Sequence, residues 1–483
     1  MKKLNGIRQR AVSSLKWTTV SQAGRFSTQF LGMLILSHLL PPSDFGILAM
    51  ASIVIGFASL FRDFGTTAAI IQTPNPHPSL LTSIFWLNIF LGMGLAASLC
   101  LLLPLITIGF DQPSMGRIVW ILALTFPIVS LGTVHQALLE KASRFRVLAI
   151  IEFVAALISV TGAVWAALSG WGVYSLVLQA VVSAFVTATA LWIVSRWKPS
   201  FHYDSSEIRK VMGFTRNLVG FNVVNYFIRN ADNLLIGRFL GASDLGYYSM
   251  AYRLMLWPLQ NISAVVARAL LPMFSEIQAD PDKIAGAYTR ATAAVMFLTA
   301  PIMFGFFVLR EPLVNVALGA QWRPCVSILA WLVPVGLLQS IGTLVGSLYL
   351  ATGRTDVMFK WGVAAAFLII PAFLIGMEWG VIGVAIAYAF ASLLLFLPGL
   401  AIPFRLVGLR VADVLLRLVP PIATSTAMAL VVGVCAVIWG AADNDQTFRL
   451  LSLIAIGMVT YGGLSYFTQR DLLRDIIRVV LNR

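Results

Sequence analysis

Long apolar runs separated by short polar stretches set the organisation of this chain. Runs of about 20 residues or more recur from end to end, and that is the length a helix needs to cross a bilayer. They predict fourteen helices, over 15–40, 45–72, 80–109, 117–139, 147–168, 172–195, 213–240, 245–272, 291–317, 325–351, 357–377, 379–403, 415–440 and 448–468. Arg62 and Asp63 interrupt the second run, so it is expected to bend or leave the bilayer near Gly65. The final stretch alternates Leu472, Leu473, Ile476, Ile477 and Val480 with Arg470, Asp471, Arg474, Asp475 and Arg478, the pattern of a helix lying on a membrane surface.

The pattern repeats. Leu34, Leu40, Ser43, Asp44, Gly46, Met50 and Ala51 return as Leu234, Leu240, Ser243, Asp244, Gly246, Met250 and Ala251, an offset of 200. Leu and Ala matches come easily in such a chain, so the informative part is the Ser-Asp-x-Gly turn, whose side chains can cap the next helix. Ser130, Gly132, Thr133, Leu138 and Arg144 recur at an offset of 210 as Ser340, Gly342, Thr343, Leu348 and Arg354. Trp171-Gly172-Val173 recurs at 208 as Trp379-Gly380-Val381. Helices one to six therefore correspond to seven to twelve, and an even number per repeat makes the halves parallel. The expected division is a basic N-terminus at 1–14, an N-terminal lobe at 15–197, a cytoplasmic linker at 198–212 and a C-terminal lobe at 213–403. Two extra helices follow at 404–468, then an amphipathic tail at 469–483.

Composition agrees with a membrane protein. The 483 residues are 59% hydrophobic and 11% charged, and the mean hydropathy is +0.87; a soluble domain needs more polar surface. The net charge of +14 would point to nucleic acid in a soluble protein. Here its placement says otherwise. Of 34 Lys and Arg, 25 fall on one side of the predicted helices and five on the other, namely Arg117, Arg238, Arg310, Arg323 and Arg449. That asymmetry puts both termini in the cytoplasm, and no nucleic-acid partner is expected. Cys100, Cys325 and Cys435 are far apart and suggest neither a disulfide framework nor a metal site. The first apolar run is too long for a signal-peptide core and is read as a retained helix.

Charged side chains within membrane spans are costly, so they face a cavity or one another. The candidates are Arg25, Arg62, Asp63, Glu152, Arg229, Asp232 and Arg253. Arg25 lies on a polar stripe with Gln22 and Gln29, and Arg229 on the matching stripe with Asn222 and Asn225. Guanidinium groups suit phosphate oxygens, and amides suit sugar hydroxyls. Arg25 has no acid three or four residues away and is the better ligand candidate, whereas Arg62 with Asp63 and Arg229 with Asp232 can be read as structural ion pairs. Glu152, Arg62, Asp63 and Asp232 are the candidates for coupling or gating. His38 and His135 are read as ordinary packed or surface residues. No nucleotide-binding loop, hydrolase motif or metal-spaced cluster is present, and no cofactor is expected.

The segments FGILAMASIVIGFASLFRDFGTTAAIIQ (45–72), ADNLLIGRFLGASDLGYYSMAYRLM (231–255), LPMFSEIQADPDKIAGAYTR (271–290) and LYLATGRTDVMFKW (348–361) resemble the polysaccharide-transporter family. These are the Wzx-type flippases of the multidrug/oligosaccharidyl-lipid/polysaccharide exporter superfamily. The resemblance implies an all-α, MATE-like fold in which two six-helix lobes form a V, often followed by two extra helices. It also implies a non-enzymatic transporter of polyprenyl-pyrophosphate-linked oligosaccharide in the bacterial inner membrane, with polysaccharide polymerase or export machinery as candidate partners. Arg25, Arg229 and Arg253 map to its cationic cavity residues. The 276–290 loop is sparser in basic residues than the family leads one to expect. The alternatives are a cation or drug antiporter on the same fold, which would want acids in the cavity, and a non-transporting scaffold for glycan-synthesis enzymes.

Overall fold

A computed structural model describes residues 24–470 and 472–474, apart from 26, 63–65, 74–75, 202, 205–222, 224, 264–265, 268–269, 271–273, 275–279 and 440–445. The described residues form helices and connections, with no strand among them. The first half holds α1 (24–39), α2 (Pro42–Ser59), α3 (Thr66–Gln72), α4 (Pro78–Phe110), α5 (Met115–Ala123), α6 (Thr125–Lys141), α7 (Phe145–Leu168), α8 (Val173–Ser195) and α9 (223–239). It continues with α10 (Ala242–Pro258), α11 (Pro281–Val308), α12 (Arg310–Ala317), α13 (Pro324–Gly342), α14 (Val345–Ala351), α15 (Thr355–Gly376), α16 (Gly380–Leu406), α17 (Val411–Ile438) and α18 (Gln446–Thr468). Each of the fourteen predicted spans overlaps helix among the described residues, and ten helical stretches are individually long and apolar enough to cross a bilayer. The chain is an all-α, multi-pass membrane protein.

Several spans are broken where a backbone donor is missing or a cap intervenes. The fourth span divides at Leu124 into α5 and α6, because Pro127 has no N–H to offer the carbonyl of Ala123. Pro312 likewise leaves Val308 without its donor and separates α12 from α11. The second span breaks at Leu60, Phe61 and Arg62, ahead of the expected bend at Gly65; Asp63 and Gly65 lie outside the described residues. The expected loop over 276–290 is a correction: helix begins at Pro281, ten residues before the predicted start of the ninth span. Asp280 caps it by accepting the Lys283 amide at 3.2 Å, and Pro281 takes the first position, where its missing donor costs nothing. At 28 residues α11 is about 42 Å long, longer than the hydrocarbon core, so its charged first turns stand clear of the apolar layer.

The chain divides into two compact units, Met1–Gly246 and Tyr247–Arg483. In the first, α4 packs on α6, and α6 and α7 on α8. One end is closed by an aromatic cluster in which Phe85 and the buried His135 meet Trp192 and Trp197, with the Ser195 hydroxyl on His135 Nδ1. The stretch after α8, expected as a linker from residue 198, is laid against the start of α4. Trp86 Nε1 donates to the Ser200 carbonyl at 2.9 Å, and the Asp204 amide to Ser83 Oγ at 2.8 Å.

In the second unit α11 packs against α13 and α17, and α17 against α18. The last two helices are thus built into this unit's core, where Met428, Val432, Leu450 and Leu453 surround Leu309. Tyr461 of α18 donates to the Phe297 carbonyl at 2.7 Å. The described start of the tail is also held by protein: Gln469 Nε2 donates to Thr424 Oγ1 at 3.0 Å, and Leu472 packs on the core cluster that holds Leu418 and Phe404.

The duplicated Ser-Asp-x-Gly turns meet inside the first unit. A Cβ on Gly46 would overlap the carbonyl oxygen of Ala242, and a Cβ on Gly246 would overlap that of Pro42. Only glycine allows backbones this close. Gly46→Ala and Gly246→Ala are each expected to cost about 1–3 kcal/mol, the range for overpacking a filled site, whereas Gly162→Ala, whose Cβ meets nothing within 4 Å, costs nothing. Thermal denaturation of the purified proteins in one detergent checks the contrast.

Candidate functional site

Two polar surfaces stand on the helices that the duplication relates. On α1, Arg25 and Gln29 are one turn apart and share a face; Gln22 lies outside the described residues. On α9, Asn225 and Arg229 are exposed, while Asn222 lies outside the described residues. Asp232 is buried and accepts the Asn233 amide at 2.7 Å, so it sits in a different environment from Arg229. In the second unit, Arg253 is exposed on α10 between the buried Ala251, Leu254 and Met255. Arg62 is half-buried at the end of α2.

Arg25 does have an acid, supplied by another helix. Its Nη1 lies 3.0 Å from Glu152 Oε2 on α7, with the two side chains 31% and 35% exposed. The two residues for which separate roles were expected therefore form one ion pair. Helical spacing along α1 carries no trace of it, because the partner is 127 positions away.

Gln29 opens onto a cavity of about 530 Å³ formed wholly within the first unit by α1, α2, α5, α6, α7 and α8. Its polar lining is Gln29, Ser52, Thr125, Gln136, Ser159, Gln179, Ser183 and Thr187, and none of the described lining residues carries a charge. Space comes from small side chains on the same faces, Gly132 on α6 and Ala180, Ala184 and Ala188 on α8. Ser52 and Ser159 give their protons to carbonyls of their own helices and Thr125 gives its proton to the Leu122 carbonyl of α5, so each hydroxyl keeps its lone pairs as acceptors. Gln136 is held by Glu140 at 2.8 Å. Gln29 and Gln179 hydrogen-bond no other described residue, so each amide presents both donors and an acceptor.

The α8 part of this site was missed in the sequence. Gln179, Ser183 and Thr187 stand at i, i+4 and i+8, a polar stripe on an otherwise apolar span. A search for charges passes over it, although spacing of four in an apolar run is the visible signal. Chemically, a pocket of amides and hydroxyls inside a bundle of apolar helices suits a neutral polyhydroxylated ligand or water. It offers nothing to neutralise a bare ion.

Comparison with known proteins agrees with the fold. The chain is 29% identical over 473 residues to the succinoglycan biosynthesis transport protein ExoT of Rhizobium meliloti (strain 1021), covering 95% of this chain and 94% of that protein. It is 28% identical over 391 residues to the lipopolysaccharide biosynthesis protein WzxC of Escherichia coli (strain K12), covering 80% of each. Its fold is similar to that of the lipid II flippase MurJ in an inward closed conformation, with a TM-score of 0.75 at 16% identity over 94% of this chain and 99% of that one. The profile of the polysaccharide biosynthesis protein family matches residues 35–327, more than half of the chain. The chain therefore belongs to the polysaccharide biosynthesis protein family.

Proposed function

We propose that the chain is a flippase that moves polyprenyl-pyrophosphate-linked oligosaccharide across the bacterial inner membrane by alternating access. The observation that carries this reading is the uncharged, hydrogen-bonding cavity of the first unit, set in a protein whose outer surface is apolar. Sugar hydroxyls drawn through hydrocarbon lose their water, at a few kcal/mol for each hydrogen bond left unmade. The amides of Gln29 and Gln179 and the hydroxyl acceptors around them replace that water. Family membership and the transport role in the name of the succinoglycan relative support the same reading.

The pyrophosphate needs cations. Arg229 and Arg253, exposed on α9 and α10, are assigned to it, each with the paired N–H geometry that phosphate oxygens accept. Arg25 is assigned the same chemistry in exchange with Glu152: a pair about one-third exposed can trade its carboxylate for a phosphate as the ligand passes. Asn225, Gln29 and the undescribed Gln22 and Asn222 complete the proposed sugar contacts, and Asp232, Arg62 and Asp63 stay assigned to coupling or gating. In this reading the protein acts as a transporter rather than an enzyme, and the 25-to-five charge asymmetry supports cytoplasmic termini. Polymerase or export machinery would receive the glycan. A cation or drug antiporter would want a carboxylate in this cavity, and none of its described lining residues is one.

Surface glycan and lipid-linked intermediate, measured in cells lacking the chromosomal copy and complemented with variants at matched membrane levels, test the reading. Gln179→Leu and Gln29→Leu should each lower the export rate about tenfold, the worth of a hydrogen bond or two, with the intermediate accumulating inside. Display at the wild-type rate from both would remove the cavity from the transport path.

For the cations, Arg229→Ala is expected to abolish display and Arg229→Lys to restore part of it. The exchange Arg25→Glu with Glu152→Arg should recover membrane protein level without recovering display. If the exchange restores both, the pair only holds α1 to α7.

A further inference from the structure

The first unit carries a second cavity of a different kind. The last two turns of α4 and the end of α9 enclose a groove of about 480 Å³, lined by Leu102, Leu105, Ile106, Phe110, Leu234 and Phe239. Its one polar side chain is Arg238, which is exposed and makes no hydrogen bond or ion pair with any described residue. No acid lines the groove. Arg238 is also one of only five basic residues on its side of the membrane. Two others of the five are committed to the end of the preceding helix, Arg310 to the Phe307 carbonyl and ring and Arg449 to the Ala436 carbonyl.

The groove is preformed. Gly237 brings α9 down until a Cβ there would stand 3.2 Å from Met50 and 3.4 Å from Phe110, so the floor cannot slide away. Gly109, on the wall, leaves open space where a Cβ would meet nothing within 4 Å. From Leu102 to Gly109 the channel runs about 10 Å along the helix, toward the end that bears the guanidinium. An unpaired cation at the rim of hydrocarbon is matched by an anion whose remaining body is apolar.

The geometry points to a binding site for a polyprenyl pyrophosphate at the non-cytoplasmic face, with the isoprenoid chain in the groove between α4 and α9 and the phosphate on Arg238. The choice of occupant rests on the flippase reading, since that transport delivers the carrier to this face. The site is separate from the sugar cavity, none of whose lining residues it shares. It would hold the carrier after transport, where the next enzyme takes the glycan.

The test is photolabelling of the purified full chain in lipid nanodiscs with a benzophenone-bearing polyprenyl pyrophosphate, read by peptide mass spectrometry. Label is expected on 102–110 or 234–239. It should fall about tenfold in Arg238→Ala, in line with loss of a charged hydrogen bond, and equally in Gly109→Trp, which fills the groove and leaves Arg238 in place. Arg117→Ala, at an exposed basic residue outside the groove, should leave this label unchanged, and excess phosphatidylglycerol should compete weakly. Label confined to other segments, label at the groove that survives both variants, or displacement by phosphatidylglycerol as readily as by unlabelled polyprenyl pyrophosphate would each overturn the proposal. Labelling at this groove in a protein that supports no glycan export in cells would instead overturn the flippase reading and leave the site standing.

Discussion

Two backbones touching without side chains between them fix the first unit. The Ala242 carbonyl lies against Gly46 and the Pro42 carbonyl against Gly246, so the turns that open α2 and α10 are locked to each other at main-chain distance. Everything along α9 follows from that clamp. Tyr226 donates to the Ile53 carbonyl at 2.7 Å, Phe57 packs on Phe227 with ring centroids 5.1 Å apart, and Gly237 rests over Met50. With α9 seated on α2 in this way, Asn225 and Arg229 are left exposed, and the end of α9 closes one wall of the apolar groove. The same close packing of small residues that holds helices together in lipid here also decides which faces stay open.

Much of the architecture is legible in the sequence because a bilayer imposes length and apolarity on each span, and both are local properties. Pro78, Pro281 and Pro324, each in the first turn of its helix, and Asp280 as a cap are equally local; reading 276–290 as a loop put the charge of Lys283 and Arg290 ahead of the cap at Asp280. The duplication too was readable, from one turn. What it meant in space was not: nothing in the Ser-Asp-x-Gly pattern says that its two copies meet.

The site was less legible, for two separate physical reasons. Arg25 seemed free because its acid is on α7, and pairing across helices leaves no periodic mark. Gln179, Ser183 and Thr187 were overlooked because uncharged groups barely perturb hydropathy, although amides within a membrane span demand partners as charges do. Arg229 and Arg253, which the sequence marks by their charge within apolar spans, are exposed. Charge marks where a chain must be explained, and neutral polar stripes mark where it can bind.

The sugar cavity has one further consequence, an electrical one. A membrane potential does work of about 2.3 kcal/mol per 100 mV on each elementary charge carried across. The cavity lining is neutral, so rearranging its walls moves no charge of their own through that field. Energised and de-energised membranes would then look alike to an empty cavity, and any voltage dependence of turnover would have to enter through the cargo or through the arginines outside it.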